Sequence, residues 1–439
     1  MLTKEKNDQI TQTGPGTPMG DVYRRYWLPA LLAEELPEAN CPPVRVQILS
    51  EFLVGFRDSE GRLGLIDEFC AHRCVSLWFG RNEDKGLRCP YHGWKFDING
   101  QCIDVPSESP EFCKNIKLQS YPLVERGGVL WTYMGPPDKQ PPLPEYEFCT
   151  VPATRRFISK RHQESNWLQA LEGGIDSSHV SFLHSSNLED DPLFKSAGGN
   201  KYNIQDLQPV FEVVETQGGI VIGARRNAED DQYYWRITPF LIPSYTQVPP
   251  RGDHPVHGHF WIPIDDDNCW AWSYDYKPDR DLTEKEIWAM SQGKGVHCEY
   301  VPGTYIPKAN KDNNYLMDRE AQRMGSTYSG VEGIAIQDGS LQESMVGINP
   351  ITGRRVAWGG TVDRTKEALA PTDKGIMMAR RKMFDAIDAL AKNDETPPGV
   401  DPEQQKVRSV STLLKRDKVF HEEVEEVLRV NPGTGHTSV

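Results

Sequence analysis

The alternation of apolar and polar positions divides the chain into stretches of different rhythm. Residues 1–40 hold a Gly/Pro loop, Gly14-Pro-Gly-Thr-Pro-Met-Gly20, and an amphipathic stretch from Asp21 to Leu36, with Asp21 as its expected N-cap. From residue 44 the rhythm is that of short strands (44–49, 52–57, 63–67), separated by turn residues such as Asp58-Ser-Glu-Gly61. Residues 94–97, followed by Asn99-Gly100, and residues 128–133 continue it. This predicts a small all-β domain with Cys/His loops at its tips. Five prolines in nine residues, Pro136 to Pro144, predict an extended linker without regular structure. Beyond it, residues 166–184 read as a helix interrupted by Gly173-Gly174. Residues 210–224, 233–240, 258–264 and 269–276 read as strands of one antiparallel sheet. Residues 374–392 read as a helix covering that sheet. Ile376, Met383, Ile387 and Leu390 form its apolar face, Thr372 or Asp373 caps it, and Pro397 follows. The expected organisation is a helical segment (1–40) packing on the larger domain, a β domain (41–135), a linker (136–144) and that larger domain (145–439).

Composition narrows the classes. With 38% hydrophobic and 26% charged residues, the 439-residue chain reads as soluble and globular, with room for two or three domains. A net charge of −14 argues against a nucleic-acid surface and suits solubility or a basic partner protein. No apolar run reaches membrane-spanning length, and the N-terminus lacks a signal-peptide core, so the expectation is a cytoplasmic protein without membrane contact. Arg24-Arg25 begins like a twin-arginine signal, but the apolar stretch after it is short and broken by Pro29. Nine cysteines, an odd number, suggest reduced thiols and a few metal ligands, not a disulfide framework.

The first candidate chemistry is Cys70-Ala-His72 followed by Cys89-Pro-Tyr-His92. Two thiolates and two imidazoles suit a Rieske [2Fe–2S] centre, with the cysteines on one iron and the histidines on the other. A structural zinc site takes the same residue types. Zinc modules usually group Cys with Cys and His with His, whereas each loop here carries one of each. Gly93 lets backbone approach the cluster closely. Cys74 reads as a free thiol, and Cys41, Cys102, Cys113, Cys149, Cys269 and Cys298 read as small buried apolar residues.

The second pattern is Glu172-x3-Asp176-x2-His179-x4-His184. Glu172, Asp176 and His179 would share one face of a continuous helix. His179 and His184 can share a metal only if the helix ends or bulges between them. Two histidines beside carboxylates suit a non-haem iron(II) with open positions for O₂. The bland alternative is a solvated polar stripe, against which the apolar neighbours Leu168, Leu171, Ile175, Val180, Phe182 and Leu183 argue.

Further motifs extend over nearly the whole chain: Thr13-Gly-Pro-Gly-Thr-Pro-Met-Gly20, Arg24-Arg-Tyr-Trp-Leu-Pro-Ala30, Phe79-Gly-Arg-Asn82, Tyr91-His-Gly-Trp-Lys-Phe96, Asn166-Trp-Leu-Gln-Ala-Leu-Glu-Gly173 and Gln337-Asp338. With them the chain resembles the α subunits of Rieske non-haem iron aromatic-ring oxygenases, on the phthalate-dioxygenase-like branch. The resemblance implies an α+β protein: a Rieske domain joined to a helix-grip (START-like) catalytic domain with an antiparallel sheet, assembled as a homotrimer. It implies His179, His184 and a later carboxylate as iron ligands; Asp338 matches best and Glu343 is the alternative. It implies Asp176 as a bridge between His179 and His92 of a neighbouring subunit, orienting both and offering a path for the electron and its proton. It also implies O₂ as co-substrate, with electrons from NAD(P)H through a flavin- and ferredoxin-type reductase. The sequence departs from the family at Cys74, where glycine is more usual, and in an extra segment, 349–360, which could reshape the pocket mouth.

Arg225, Arg226 and Arg236 lie on adjacent predicted strands and could hold an aromatic carboxylate by bidentate contacts, with Arg236 and Arg225 the chosen pair. Surface ion pairing is the competing reading. Ring dihydroxylation of an aromatic acid is the expected reaction, and O-demethylation of a methoxylated or phenoxy aromatic acid its alternative. A plain Rieske electron carrier or a zinc-stabilised binding module would need no second iron motif.

Overall fold

The computed structural model describes residues 1–349 and 351–439; Pro350, within the extra segment, lies outside the described residues. The chain forms two compact units, Thr13–Leu143, and Met1–Gln12 together with Pro144–Val439.

Thr13–Leu143 is built from short antiparallel strands. Val44–Ile48, Glu51–Arg57, Leu63–Asp67 and Ser120–Tyr121 form one sheet, and Arg81–Glu83, Gly86–Arg88, Lys95–Phe96 and Cys102–Asp104 another. Two aspartates set the hairpin turns. Asp58 Oδ1 accepts from the amides of Glu60 and Arg62, and Asp97 Oδ1 from those of Asn99 and Gln101, each at 2.9 Å. Gly61 and Gly100 take the left-handed positions these turns require. Val54, Phe56, Ile66, Leu77, Leu87 and Phe96 form the core.

The first forty residues depart from expectation. Trp27–Leu32 is a strand, buried throughout and paired with Val129–Tyr133. A continuous apolar run buried on both faces favours a strand, and Pro29 excludes a helix interior; the register irregularity beside it accommodates the missing N–H. The helix here is short, Pro18–Tyr23, capped by the Thr17 hydroxyl, with Asp21 inside it. Residues 13–40 therefore belong to the β unit, and only Met1–Gln12, with helix Lys4–Thr11, joins the larger one. The proline-rich stretch holds one 3₁₀ turn, Pro137–Lys139, and the boundary falls at its end.

The larger unit is organised by an eight-stranded antiparallel sheet. Its order is Arg156–Gln163, Cys269–Tyr276, Val256–Pro263, Tyr245–Gln247, Gln232–Leu241, Gly219–Asn227, Val210–Glu215, with Val410–Lys415 also pairing Gln232–Leu241. The single strand expected at 210–224 is two, turned at Thr216, whose hydroxyl accepts from the Gly219 amide. Register puts Arg161, Ala271 and Trp261 on one face, together with His257, His259, Arg236 and Thr238. Helices Trp167–Ile175 and Lys374–Asn393 pack on that face. The opposite face holds an aromatic cluster including Phe148, Tyr245 and Tyr274, and Trp235 stacked on Phe420.

Gly173 and Gly174 do not interrupt the first of these helices. They lie inside it because neighbours need the space: an added Cβ would come within 2.0 Å of the Trp261 ring at Gly174 and 2.3 Å of Gln342 Nε2 at Gly173. The helix instead ends at Asp176, and a 3₁₀ turn, His179–Ser181, follows.

Candidate active site

That helix ending aligns the two histidines. Asp176, extended at the C-cap, accepts through Oδ1 from the Ser178 amide at 2.7 Å and through Oδ2 from His179 Nδ1 at 3.3 Å. His179 Nε2 is thereby left to face His184 Nε2, 3.2 Å away. His184 Nδ1 donates to Gln337 Oε1 at 2.8 Å, and Gln337 Nε2 is anchored on the Val331 carbonyl at 2.9 Å. The adjacent residue on helix Ile334–Glu343, Asp338, places Oδ1 3.3 Å from His184 Nε2 and 3.6 Å from His179 Nε2.

Three ligand atoms thus converge within 4.8 Å of one another. Bonds of about 2.1 Å at right angles to one cation would space such atoms by about 3 Å. Two imidazole nitrogens aimed at each other beside a carboxylate suit a shared cation. Burial raises the energy of an Asp338 carboxylate, yet His184 and His179 outweigh it and hold its pKa down at about 2. Burial likewise opposes a charge on His179, but Asp176 and Asp338 carry its pKa upward.

Two other acids of the sequence pattern do different work. Glu172 is partly buried between Arg364 and Arg380, at 2.9 and 2.6 Å, which hold its pKa low against desolvation. Glu343 accepts from the Glu164 amide at 3.0 Å and from the Tyr315 hydroxyl.

In the β unit, Cys70 and Cys89 are buried at loop tips, within the core cluster. The Cys70 sulfur accepts from the His72 and Arg73 amides; burial and the neighbouring Cys89 thiol nonetheless push its pKa up to about 11. A thiolate there therefore calls for a bound cation. The exposed imidazoles of His72 and His92 lie 4.4 Å apart, His72 stacked on Trp94 at 4.7 Å. Gly93 has φ +78°, and its amide donates to the Cys89 carbonyl at 3.0 Å. Two thiols below two imidazoles match the donor set of a Rieske cluster. Cys74 is an exposed free thiol with φ +54°, a conformation that suits the glycine usual at this position. The six remaining cysteines are buried and form no disulfide.

Residues 26–122 match the Rieske [2Fe–2S] domain family, and residues 132–425 match the LigXa C-terminal domain-like family. The oxygenase subunit of 3-chlorobenzoate-3,4-dioxygenase from Comamonas testosteroni is 37% identical, over 92% of this chain and 93% of its own. The phthalate 4,5-dioxygenase oxygenase subunit of Pseudomonas putida is 35% identical, over 89% and 87%. The chain belongs to the Rieske oxygenases. It is the oxygenase component of such a system, an oxidoreductase that incorporates O₂, and membership implies both a [2Fe–2S] cluster and a mononuclear iron. The fold agrees with that of dicamba monooxygenase bound to 3,6-dichlorosalicylic acid (TM-score 0.56, 19% identity, 84% of this chain and 99% of that one).

In this oxygenase the triad opens into a cavity with about 70 Å³ available to the centre of a water molecule. Val180, Leu188, Phe194, Trp261 and Ile334 give it apolar walls. Arg236 lines it, 2% exposed, with Nε and Nη1 unpartnered. Arg225 does not belong to it. Strand alternation turns Arg225 to the other face, where it lies over Tyr233 and faces Glu212 at 3.8 Å. Arg226, on the cavity side of the sheet, is tied to the Ser177 carbonyl at 2.8 Å. Sequence reasoning missed Arg161, Arg251, His257 and His259 in the lining, and Gln337 behind His184. The alternating His257-Gly-His259 within an apolar strand was the one available signal.

Proposed function

We propose that this oxygenase hydroxylates an aromatic ring bearing an acid group, with the acid held by Arg236. The observation carrying this is the Arg236 guanidinium, buried at the cavity wall without an ion pair among the described residues. An unpaired buried charge costs several kcal/mol, so a fold that keeps one beside a reactive site favours an anion there. Relatives named for chlorobenzoate and phthalate support the same reading.

Cys70 and Cys89 would hold one iron of the cluster and His72 and His92 the other; His179, His184 and Asp338 would hold the mononuclear iron. The bound metals supply O₂ activation at the triad and electron storage at the cluster. The protein supplies the rest. Asp176 and Gln337 fix the tautomers that direct both Nε2 atoms to one point. Apolar walls exclude water around the ring, and Arg236 fixes which ring edge faces the triad. Electrons come from NAD(P)H through a flavin- and ferredoxin-type reductase. The working form is a cytoplasmic homotrimer, in which Asp176 meets His92 of the partner subunit.

The test is turnover of a panel of benzoates and their uncharged amides with a reductase, with products identified. Oxygenated acids are expected: a cis-dihydrodiol marks dihydroxylation, and formaldehyde with a phenol marks the demethylating alternative. Amides converted as readily as acids would refute the reading.

A further inference from the structure

The wall that carries Arg236 holds two more donors. Arg251, in the segment before strand Val256–Pro263, is 5% exposed and lines the cavity. Its Nη1 donates to Asn200 Oδ1 at 2.7 Å and its guanidinium lies over the Phe194 ring, but no carboxylate among the described residues pairs with it. His257, 4% exposed, packs on the same Phe194 ring at 5.2 Å, and its Nδ1 has no hydrogen-bond partner. Two buried guanidiniums without a carboxylate at ion-pair distance among the described residues and a buried imidazole with an unused nitrogen therefore line one cavity. Each is costly by itself. Their repulsion when empty is relieved by one kind of occupant, an anion that accepts hydrogen bonds.

We propose that Arg236, Arg251 and His257 form a single acid-binding pole, with His257 the neutral donor that orients the acid group and Arg251 the second positive charge. This rests on the reading of the substrate as an aromatic acid and extends it to the residues that decide specificity. Burial, reinforced by His259, Arg251 and Arg236, drives the His257 pKa well below its ordinary value, so the imidazole stays uncharged. A neutral donor beside two cations adds direction without a third charge. Carboxylate oxygens can accept from both guanidiniums and from the imidazole N–H together.

The experiment is calorimetric binding of benzoate and benzamide to the metal-loaded, oxidised enzyme, without reductase, so that no turnover enters. Wild type should bind benzoate at least tenfold more tightly than benzamide. His257→Phe should weaken benzoate by about tenfold or more, the value of one hydrogen bond to a charged group, and change benzamide less than threefold. His257→Asn, which keeps an N–H near the Nδ1 position, should restore most of the loss. Arg251→Met should lose benzoate as His257→Phe does, and Arg251→Lys should keep most of it. The visible spectrum of the cluster and the thermal midpoint check folding; if His257→Phe does not fold, the Arg251 pair decides by the same criterion. Folded variants that bind benzoate like wild type, while Arg236→Met loses it, would overturn the three-residue pole and leave the aromatic-acid reading intact. A wild type that does not prefer benzoate overturns the aromatic-acid reading and this inference with it.

Discussion

Gln337→Leu should release the mononuclear iron although Gln337 is not a ligand. Gln337 is fully buried, and its Oε1 takes the His184 Nδ1 proton at 2.8 Å. Leucine fills similar space but accepts nothing. His184, 5% exposed, then faces two costs. Keeping its proton on Nδ1 leaves a buried donor unsatisfied, at about 1–3 kcal/mol. Moving the proton to Nε2 removes the lone pair from the point shared with His179 and Asp338. Either way iron affinity falls by about 10–100-fold, or about 1.4–2.7 kcal/mol. The assay is iron retained against a graded chelator, measured per cluster, with the cluster absorption as internal reference. Gln337→Glu is the counterpart: a carboxylate still accepts the Nδ1 proton, so iron should be held at least as well as in wild type. If Gln337→Leu retained iron like wild type with an unchanged cluster spectrum, the argument that Gln337 fixes the His184 tautomer would be wrong.

Asp338→Ala should lose the mononuclear iron while the cluster survives, whereas Glu343→Gln should keep it; iron loss only in the Glu343 variant would reverse the ligand choice. Glu172→Gln should destabilise the larger unit by about 3–5 kcal/mol in chemical denaturation, because buried Arg364 loses its carboxylate partner, while Arg380 keeps Glu367. The folded pKa of Glu172 is depressed, so its stabilisation is fully present above the unfolded value of about 4.3 and is lost as pH falls through the lower folded value. The variant should lack that part of the acid-side decline, and an identical pH profile for both proteins would count against the network. Gly174→Ala should cost about 1–3 kcal/mol and weaken substrate binding, since the new methyl displaces Trp261 from the cavity wall; an unchanged thermal midpoint would contradict the packing described. Arg225→Ala, on the far face of the sheet, should leave binding of an aromatic acid within twofold of wild type, while Arg236→Met abolishes it.

The Cys70-x-His72 and Cys89-x2-His92 pairs were legible because each sits in one tight loop, so sequence spacing is nearly spatial spacing. His179 and His184 were legible for the same reason, although the helix ends before both of them, at Ile175, and a 3₁₀ turn carries His179. Asp338 lies far along the chain, and only the family motif pointed to it before the fold brought it within 3.3 Å of His184. The unbridged cysteines and the amphipathic helix Lys374–Asn393 also followed from local pattern. Tertiary structure decided what local pattern leaves degenerate. Whether Arg225 or Arg236 faces the cavity depends on register, because a strand turns successive side chains to opposite faces and both neighbourhoods mix aromatic and charged residues. Gly173-Gly174 looked like a helix breaker, and proved to be room for Trp261 and Gln342, residues distant in sequence. Trp27–Leu32 and Val410–Lys415 became strands because unpaired backbone was there to meet them, at Val129–Tyr133 and along the first part of Gln232–Leu241. The sequence by itself pointed to the two candidate metal sites, since ligand type and short-range spacing are local properties. Only the tertiary structure decided that Arg236, Arg251 and His257 line one cavity, since sheet pairing and burial bring together residues that no local pattern connects.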